Sequence, residues 1–143
     1  MSYKFLDHAT DAIIEVNAKD LQEAFLVAAD AVINLTLDQD KVQEIEKKEF
    51  SARGKDLRYL LFSWLEEIPF LLITEGFAIK RIEFQINLND ENRDYTIQAV
   101  AFGEPLDFQK HNFKVEIKAP TFYDMEIKET KNDGVFMRFL LDL

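Results

Sequence analysis

The stretch IEFQINLNDENRDYTIQAVA, residues 82–101, decides the class of fold. Apolar and polar residues alternate through residues 82–88, and a second alternating run follows at residues 95–101. A period of two places the apolar side chains on one face, as in a strand with one buried and one solvated side. The polar residues 89–93 between the runs predict a turn that joins two such strands.

The period of two continues toward the C-terminus. We expect further strands around residues 115–117, 125–127 and 135–141, where apolar residues again alternate with polar ones. Asn132-Asp133-Gly134 predicts a hairpin turn between the last two, because Asn, Asp and Gly tolerate the positive φ that such turns require.

Toward the N-terminus the period changes to that of helices. Asp20, followed by Glu23, predicts the N-cap of a first helix over residues 21–35. Asp56 predicts the start of a second helix, which Pro69 should kink before it ends at residues 75–76.

Two short β-prone stretches, residues 3–6 and 12–16, precede the first helix, and we expect another strand over residues 42–52. Six or seven strands and two helices, segregated along the chain, predict an α+β fold with a mainly antiparallel sheet. The length of 143 residues predicts one domain over residues 1–143.

Composition narrows the possible functions. Lys and Arg number 17 against 27 Asp and Glu, a formal net charge of −10, which predicts weak or no direct binding to nucleic acid. The absence of cysteine excludes disulfides, cysteine-ligated metals and thiol nucleophiles. The N-terminus lacks an apolar signal core, and no apolar run approaches the ~18 residues that cross a membrane. We therefore expect a cytoplasmic protein with no membrane partner.

Few catalytic designs fit the sequence. Neither a P-loop nor a dinucleotide fingerprint can be drawn with four glycines, and no serine has a nucleophile context. Carboxylates and two histidines remain as candidates for chemistry.

Four polar segments hold these candidates, and each has a structural alternative. The corner Asp7-His8-Ala9-Thr10-Asp11 either makes local turn hydrogen bonds or presents oxygens to a hard cation or an acid–base step. Asp142 is either a solvated residue of the last strand or a ligand. The segment from Gly103 to His111 is either a polar surface connection or a functional loop, and Asp56 is either a helix cap or a functional carboxylate.

Taken together, the order and the residues of these segments resemble those of the archease family. The matching pieces span nearly the whole chain: Phe5-Leu6-Asp7-His8-Ala9-Thr10-Asp11, Leu21-x-Glu23-Ala24-Phe25, Asp56-Leu57-x-x-Leu60-Leu61-x-x-Trp64-Leu65-x-Glu67, Gly103-Glu104-x-x-Asp107-x-x-Lys110-His111, Glu116-Ile117-Lys118-Ala119-x-Thr121 and Leu141-Asp142-Leu143. This sequence departs from the family pattern at two places. Family members commonly read Asp-His-Thr-Ala-Asp at the first corner, where this chain has Ala9-Thr10 in the middle, and they often carry histidine at the position of Tyr123.

The resemblance implies an accessory protein that activates an RtcB-type RNA ligase in tRNA splicing and RNA repair. Such a protein promotes guanylylation and repeated turnover of the ligase and is not itself the catalyst. It implies a divalent cation, calcium in that family, held by Asp11, Asp142 and the backbone oxygen of Leu143. It also implicates Asp56 in activation, a role to which we add Asp7 and His8.

If Asp11 and Asp142 share a cation, the N-terminal bend and the last strand should be neighbours in the sheet. Two other classes of function stay open at this point. A metal-dependent hydrolase or isomerase would use Asp7, His8, Asp11 and His111. A chaperone-like modulator would act on an RNA-modifying enzyme such as a tRNA methyltransferase.

Overall fold

Seven strands and two α-helices make up the part of the chain that the structure, a computed structural model, describes: residues 1–6 and 10–143. In chain order the elements are β1 (Ser2–Leu6), β2 (Asp11–Ala18), α1 (Leu21–Thr36), β3 (Glu46–Gly54), α2 (Leu57–Pro69), β4 (Phe77–Asn89), β5 (Asp94–Pro105), β6 (Ala119–Thr130) and β7 (Gly134–Asp142). A 3₁₀ turn, Gln39–Lys41, follows α1, and a π-helical turn, Phe70–Thr74, follows α2. Among the described residues, no helix is long and apolar enough to span a membrane.

The strands form two sheets, with the orders β1-β2-β7-β6 and β3-β5-β4. Every neighbouring pair is antiparallel, so the predicted α+β class is confirmed. The expected single sheet is divided in two, and an irregular connection, residues 106–118, joins β5 of one sheet to β6 of the other.

Residues 115–117 lie in that connection, and the prediction of a strand there is wrong. Residues 113–118 adopt no strand. Isolated backbone hydrogen bonds hold this segment instead of a strand ladder. The N–H of Lys114 donates to the carbonyl of Thr36 at 2.8 Å, and that of Lys118 donates to the carbonyl of Asp142 at 2.8 Å. Ile117 is buried, so its apolar character reflects core packing and not a ladder.

Both helices begin where capping predicts. The carboxylate of Asp20 accepts from the N–H of Glu23 at 2.9 Å, and that of Asp56 accepts from the N–H of Tyr59 at 3.0 Å. Each bond satisfies an otherwise unpaired amide of a first turn. The expected bounds of α1 are confirmed to within one residue.

The helical segment ends near residues 75–76 as predicted, but at Pro69 it changes from α to π geometry. The chain continues as the π turn, closed by the N–H of Glu75 donating to the carbonyl of Phe70 at 3.1 Å. Proline has no N–H for the i−4 carbonyl, and such a break in the ladder is a common cause of an altered turn.

The core lies between the helices and the inner faces of the two sheets. Trp64 of α2 is fully buried at its centre, and its Nε1–H donates to the carbonyl of Phe25 in α1 at 3.0 Å. Its ring stacks on Phe50 of β3 with centroids 5.5 Å apart. The indole therefore joins both helices to the three-stranded sheet.

Strands β4 and β5 confirm the predicted hairpin and extend it. The backbones of Ala78 and Gly103 approach so closely that a Cβ on Gly103 would lie 1.8 Å from the carbonyl oxygen of Ala78. A register shift follows between Ile79 and Arg81. A side chain has no room at this crossing, so position 103 requires glycine. Glu104 follows it directly, near the C-terminal end of β5.

Candidate functional site

Asp11 and Asp142 are direct cross-strand partners in the pair β2·β7. Opposite residues of antiparallel strands have Cα atoms about 4.5–5.5 Å apart. Both side chains project from the outer face, because Ala12 on β2 and Leu141 on β7 are buried in the core beside them. The expected neighbourhood of the N-terminal bend and the last strand is thus confirmed.

Short contacts fix the backbone around this pair. The hydroxyl of Thr10 donates to Oδ1 of Asp11 at 2.8 Å, and the N–H of Leu143 donates to the carbonyl of Thr10 at 3.2 Å. Leu143 is therefore held beside the strand end that bears Asp11, and residues 10–11 and 142–143 form one local unit.

Two like charges placed directly opposite each other destabilise a strand pair. On β7 itself, Arg138 shares the face of Asp142 but is four residues away, about 13 Å along a strand. Its guanidinium is already engaged by Glu15 at 3.0 Å and Glu126 at 2.7 Å. A cation near the aspartates would relieve their repulsion.

The donor set suits a hard cation, because carboxylate and carbonyl oxygens are the ligands that Ca²⁺ prefers. Among the described residues, no group of three or more His, Cys, Asp or Glu side chains is placed to hold a metal. Asp11, Asp142 and the carbonyl of Leu143 would thus need completion by water or by a partner. Asp7 and His8, which the sequence also singles out, lie outside the described residues.

Asp56 stands apart from the aspartate pair. The N-terminal half of α2 contacts Phe122 through Tyr59 and Phe62, whereas its C-terminal half borders residues 116–120, next to Asp142. Thirteen residues of helix at 1.5 Å per residue separate the two ends by about 20 Å. The structure therefore does not bring Asp56 into the same site as Asp142.

The segment from Gly103 to His111 holds a buried polar network. Glu104 is 5% exposed and His111 is fully buried, so the interpretation of this segment as a polar surface connection is wrong for both residues. One carboxylate oxygen of Glu104 contacts Nε2 of His111 at 2.9 Å and accepts from the N–H of Gln43 at 2.8 Å. The other oxygen accepts from Nζ of Lys110 at 2.7 Å.

These contacts determine the tautomer of the neutral His111 ring and lower the pKa of Glu104. Nδ1 of His111 accepts from the N–H of Asp107 at 3.0 Å, so in the neutral ring Nε2 carries the proton that is donated to Glu104. The ion pair with Lys110 lowers the pKa of Glu104 to about 2, and the bonds from His111 and Gln43 add to this effect. Both ring nitrogens are occupied, which makes the imidazole a structural hydrogen-bonding group.

Sequence reasoning missed a cleft beside the segment that leads into β6. We call it the acidic cleft and define it by three glutamates on its walls, Glu66, Glu67 and Glu116. Adjacent glutamates in a helix just before a proline were the available signal, since carboxylates are disfavoured toward the C-terminal end of a helix.

Comparison with known proteins identifies the family. Residues 3–143 match the model of the Archease protein family (MTH1598/TM1083). The archease of Pyrobaculum islandicum is 39% identical over 144 residues, covering 100% of this chain and 96% of that protein. The archease of Pyrococcus abyssi is 32% identical over 139 residues, covering 97% and 96%.

A solved structure agrees with this assignment. The solution structure of Methanobacterium thermoautotrophicum protein 1598 superposes with a TM-score of 0.77 at 28% identity, covering 99% of this chain and 98% of that one. The correspondence in sequence and fold extends over the whole described chain. The protein therefore belongs to the archease family.

Proposed function

We propose that this protein is a metal-binding accessory protein that activates an RtcB-type RNA ligase in tRNA splicing and RNA repair. In this proposal it promotes guanylylation of the ligase and repeated turnover. Membership of the archease family supports the general role. The cross-strand pair of Asp11 and Asp142 is the observation that carries the proposal for this chain.

The proposed metal ligands are Asp11, Asp142 and the carbonyl oxygen of Leu143. A divalent cation such as Ca²⁺ bound there would offset two carboxylate charges and keep coordination positions for water or partner groups. The bond from Thr10 to Asp11 orients one carboxylate, and the bond from Leu143 to Thr10 fixes the adjoining backbone. In this proposal the protein's own residues supply an incomplete set of oxygens.

The proposal assigns the catalytic groups to the ligase. A chain with a net charge of −10 is poorly suited to holding RNA phosphates or a nucleotide by itself. His111, one of its two histidines, has both ring nitrogens engaged. Activation by contact with a partner requires neither a nucleotide-binding surface nor a free imidazole on this protein, whereas catalysis would require such groups.

Asp56 would act at a second contact with the ligase, because it lies at the opposite end of α2 from the aspartate pair. Its carboxylate already caps the helix, so a functional role must be separated from the structural one. Asp56→Ser keeps a capping oxygen and removes the charge, whereas Asp20→Ala removes the equivalent cap from α1.

The test is a multiple-turnover RNA ligation assay with the matching RtcB-type ligase, with and without this protein. We expect stimulation by the wild type and weaker stimulation by Asp11→Ala, Asp142→Ala and Asp56→Ser. Asp20→Ala should stimulate fully once folded. Absence of stimulation by the wild type, or full stimulation by the three folded variants, would refute the proposal.

A further inference from the structure

The acidic cleft has a volume of about 550 Å³ and mixed walls. The second half of α2 and the π turn form one side, and the segment before β6 forms the other. Phe70, which lines the cleft, is half exposed. The apolar part of the wall includes Leu65, Pro69, Phe70, Ile73, Ile117 and Pro120.

Among the described residues that line the cleft, acidic side chains outnumber basic ones. Three glutamates face a single base, Lys118, among the described lining residues, and none of the three makes an ion pair with any residue in 1–6 or 10–143. Burial raises the pKa of Glu67, and the charges of Glu66 and Glu75 raise it further. The wall therefore holds carboxylates in a setting that a cationic group would stabilise.

The local backbone departs from what helix stability favours. The last turn of α2 contains no basic residue, although the helix dipole favours one there. Pro69 withholds a hydrogen bond from the helix, and the following turn is π-helical. Here the π turn ends the helix, and its residues Phe70, Ile73 and Thr74 line the cleft.

The cleft adjoins the aspartate pair through one short segment. Lys118, on the rim, donates its N–H to the carbonyl of Asp142, and Ala119 is the β6 partner of Asp142. A partner that reached the aspartates from this side would also cover the cleft.

We propose that the acidic cleft docks a basic, extended segment of the partner protein, with Arg or Lys side chains facing the glutamates and an apolar side chain against Phe70. The identity of that partner as the ligase rests on the proposed function. Charge complementarity selects a basic segment and disfavours RNA. The apolar walls and the volume suit a few side chains, since pockets of about 300–1,000 Å³ hold drug-sized groups and a lone metal ion needs far less.

The first experiment measures binding of the full-length protein to the RtcB-type ligase by calorimetry. The cleft variant carries Glu66→Gln, Glu67→Gln and Glu116→Gln. The matched surface variant carries Glu46→Gln, Glu49→Gln and Glu91→Gln, which removes the same charge from exposed positions outside the cleft. We expect about tenfold weaker binding for the cleft variant, with a smaller dependence on salt, and less than twofold for the surface variant.

A second experiment separates this inference from the proposed function. An extended peptide of alternating Arg and Leu is titrated into the protein alone, beside a peptide with Gln in place of Arg. The wild type and the surface variant should bind the Arg peptide, and the cleft variant should bind it much more weakly. If the wild type fails to bind the ligase, the proposed function is refuted. The peptide titration then still shows whether the acidic cleft binds a basic segment.

Two outcomes would overturn the docking role. One is equal affinity of the cleft and surface variants for both the ligase and the Arg peptide. The other is a calcium titration in which the cleft variant loses a binding event while its peptide binding is unchanged, which would make the cleft a cation site. The shift in melting temperature produced by calcium through Asp11 and Asp142 should be the same in all three proteins.

Discussion

Removing the carboxylate of Glu104 should destabilise the protein far more than removing a surface carboxylate of similar bonding. In Glu104→Ala the fully buried Nε2–H of His111 loses its acceptor, a loss of about 1–3 kcal/mol. The N–H of Gln43 also loses its bond, at about 1 kcal/mol, and the half-exposed Lys110 can turn to water. We therefore expect the free energy of unfolding to fall by about 3 kcal/mol.

The measurement is equilibrium unfolding in urea, followed by tryptophan fluorescence of the buried Trp64. Glu44→Ala is the matched control, because Glu44 binds Arg81 at 3.0 Å but both side chains are about 40% exposed. Exposed pairs typically contribute about 0.2–1 kcal/mol. Equal losses in the two variants would refute the argument that burial makes the Glu104 network important.

Four further results are expected. Ca²⁺ at about a hundred times its dissociation constant should stabilise the wild type by roughly 2.7 kcal/mol in thermal unfolding, and Asp142→Asn should lose most of that gain; equal shifts would remove Asp142 from the site. Because Glu104 has a folded pKa of about 2, below its ordinary 4.5, its contribution to stability should be complete above pH 4.5 and lost as the pH falls toward 2. Acid titration of Glu104→Gln should lack this component. Gly103→Ala should cost about 1–3 kcal/mol in urea unfolding, because its Cβ would meet the carbonyl of Ala78. The protein alone should not bind tRNA in a filter assay at about 0.15 M salt, and submicromolar affinity would reopen a direct role with RNA.

Periodicity and capping identified most of the elements from the sequence. The two aspartate caps placed the helix starts correctly, because a cap needs only local chemistry. The alternation in residues 82–101 predicted a hairpin for the same reason. The pairing of β2 with β7 required the resemblance as well, since it was inferred from two aspartates expected to share a cation.

The failures arose where distant contacts decide the structure. The strand expected at residues 42–52 lies at Glu46–Gly54, because Glu104 and the carbonyl of Gly103 first bind the backbone N–H groups of Gln43 and Ile45. Polar composition suggested exposure for Glu104 and His111, yet mutual hydrogen bonding permits their burial. The division into two sheets depends on which strands pair across long stretches of sequence, and no local pattern reports that pairing.

The pairing of β2 with β7 also has a kinetic consequence. Glu15 on β2 and Arg138 on β7 are 123 residues apart in sequence, yet they meet through a direct hydrogen bond. Closing so long a loop costs chain entropy, and contacts of high sequence separation slow folding. We therefore expect the central strands of the four-stranded sheet to join late in refolding. The opposed aspartates would come within range of each other only at that step, so their repulsion acts on the finished sheet and not on the early chain.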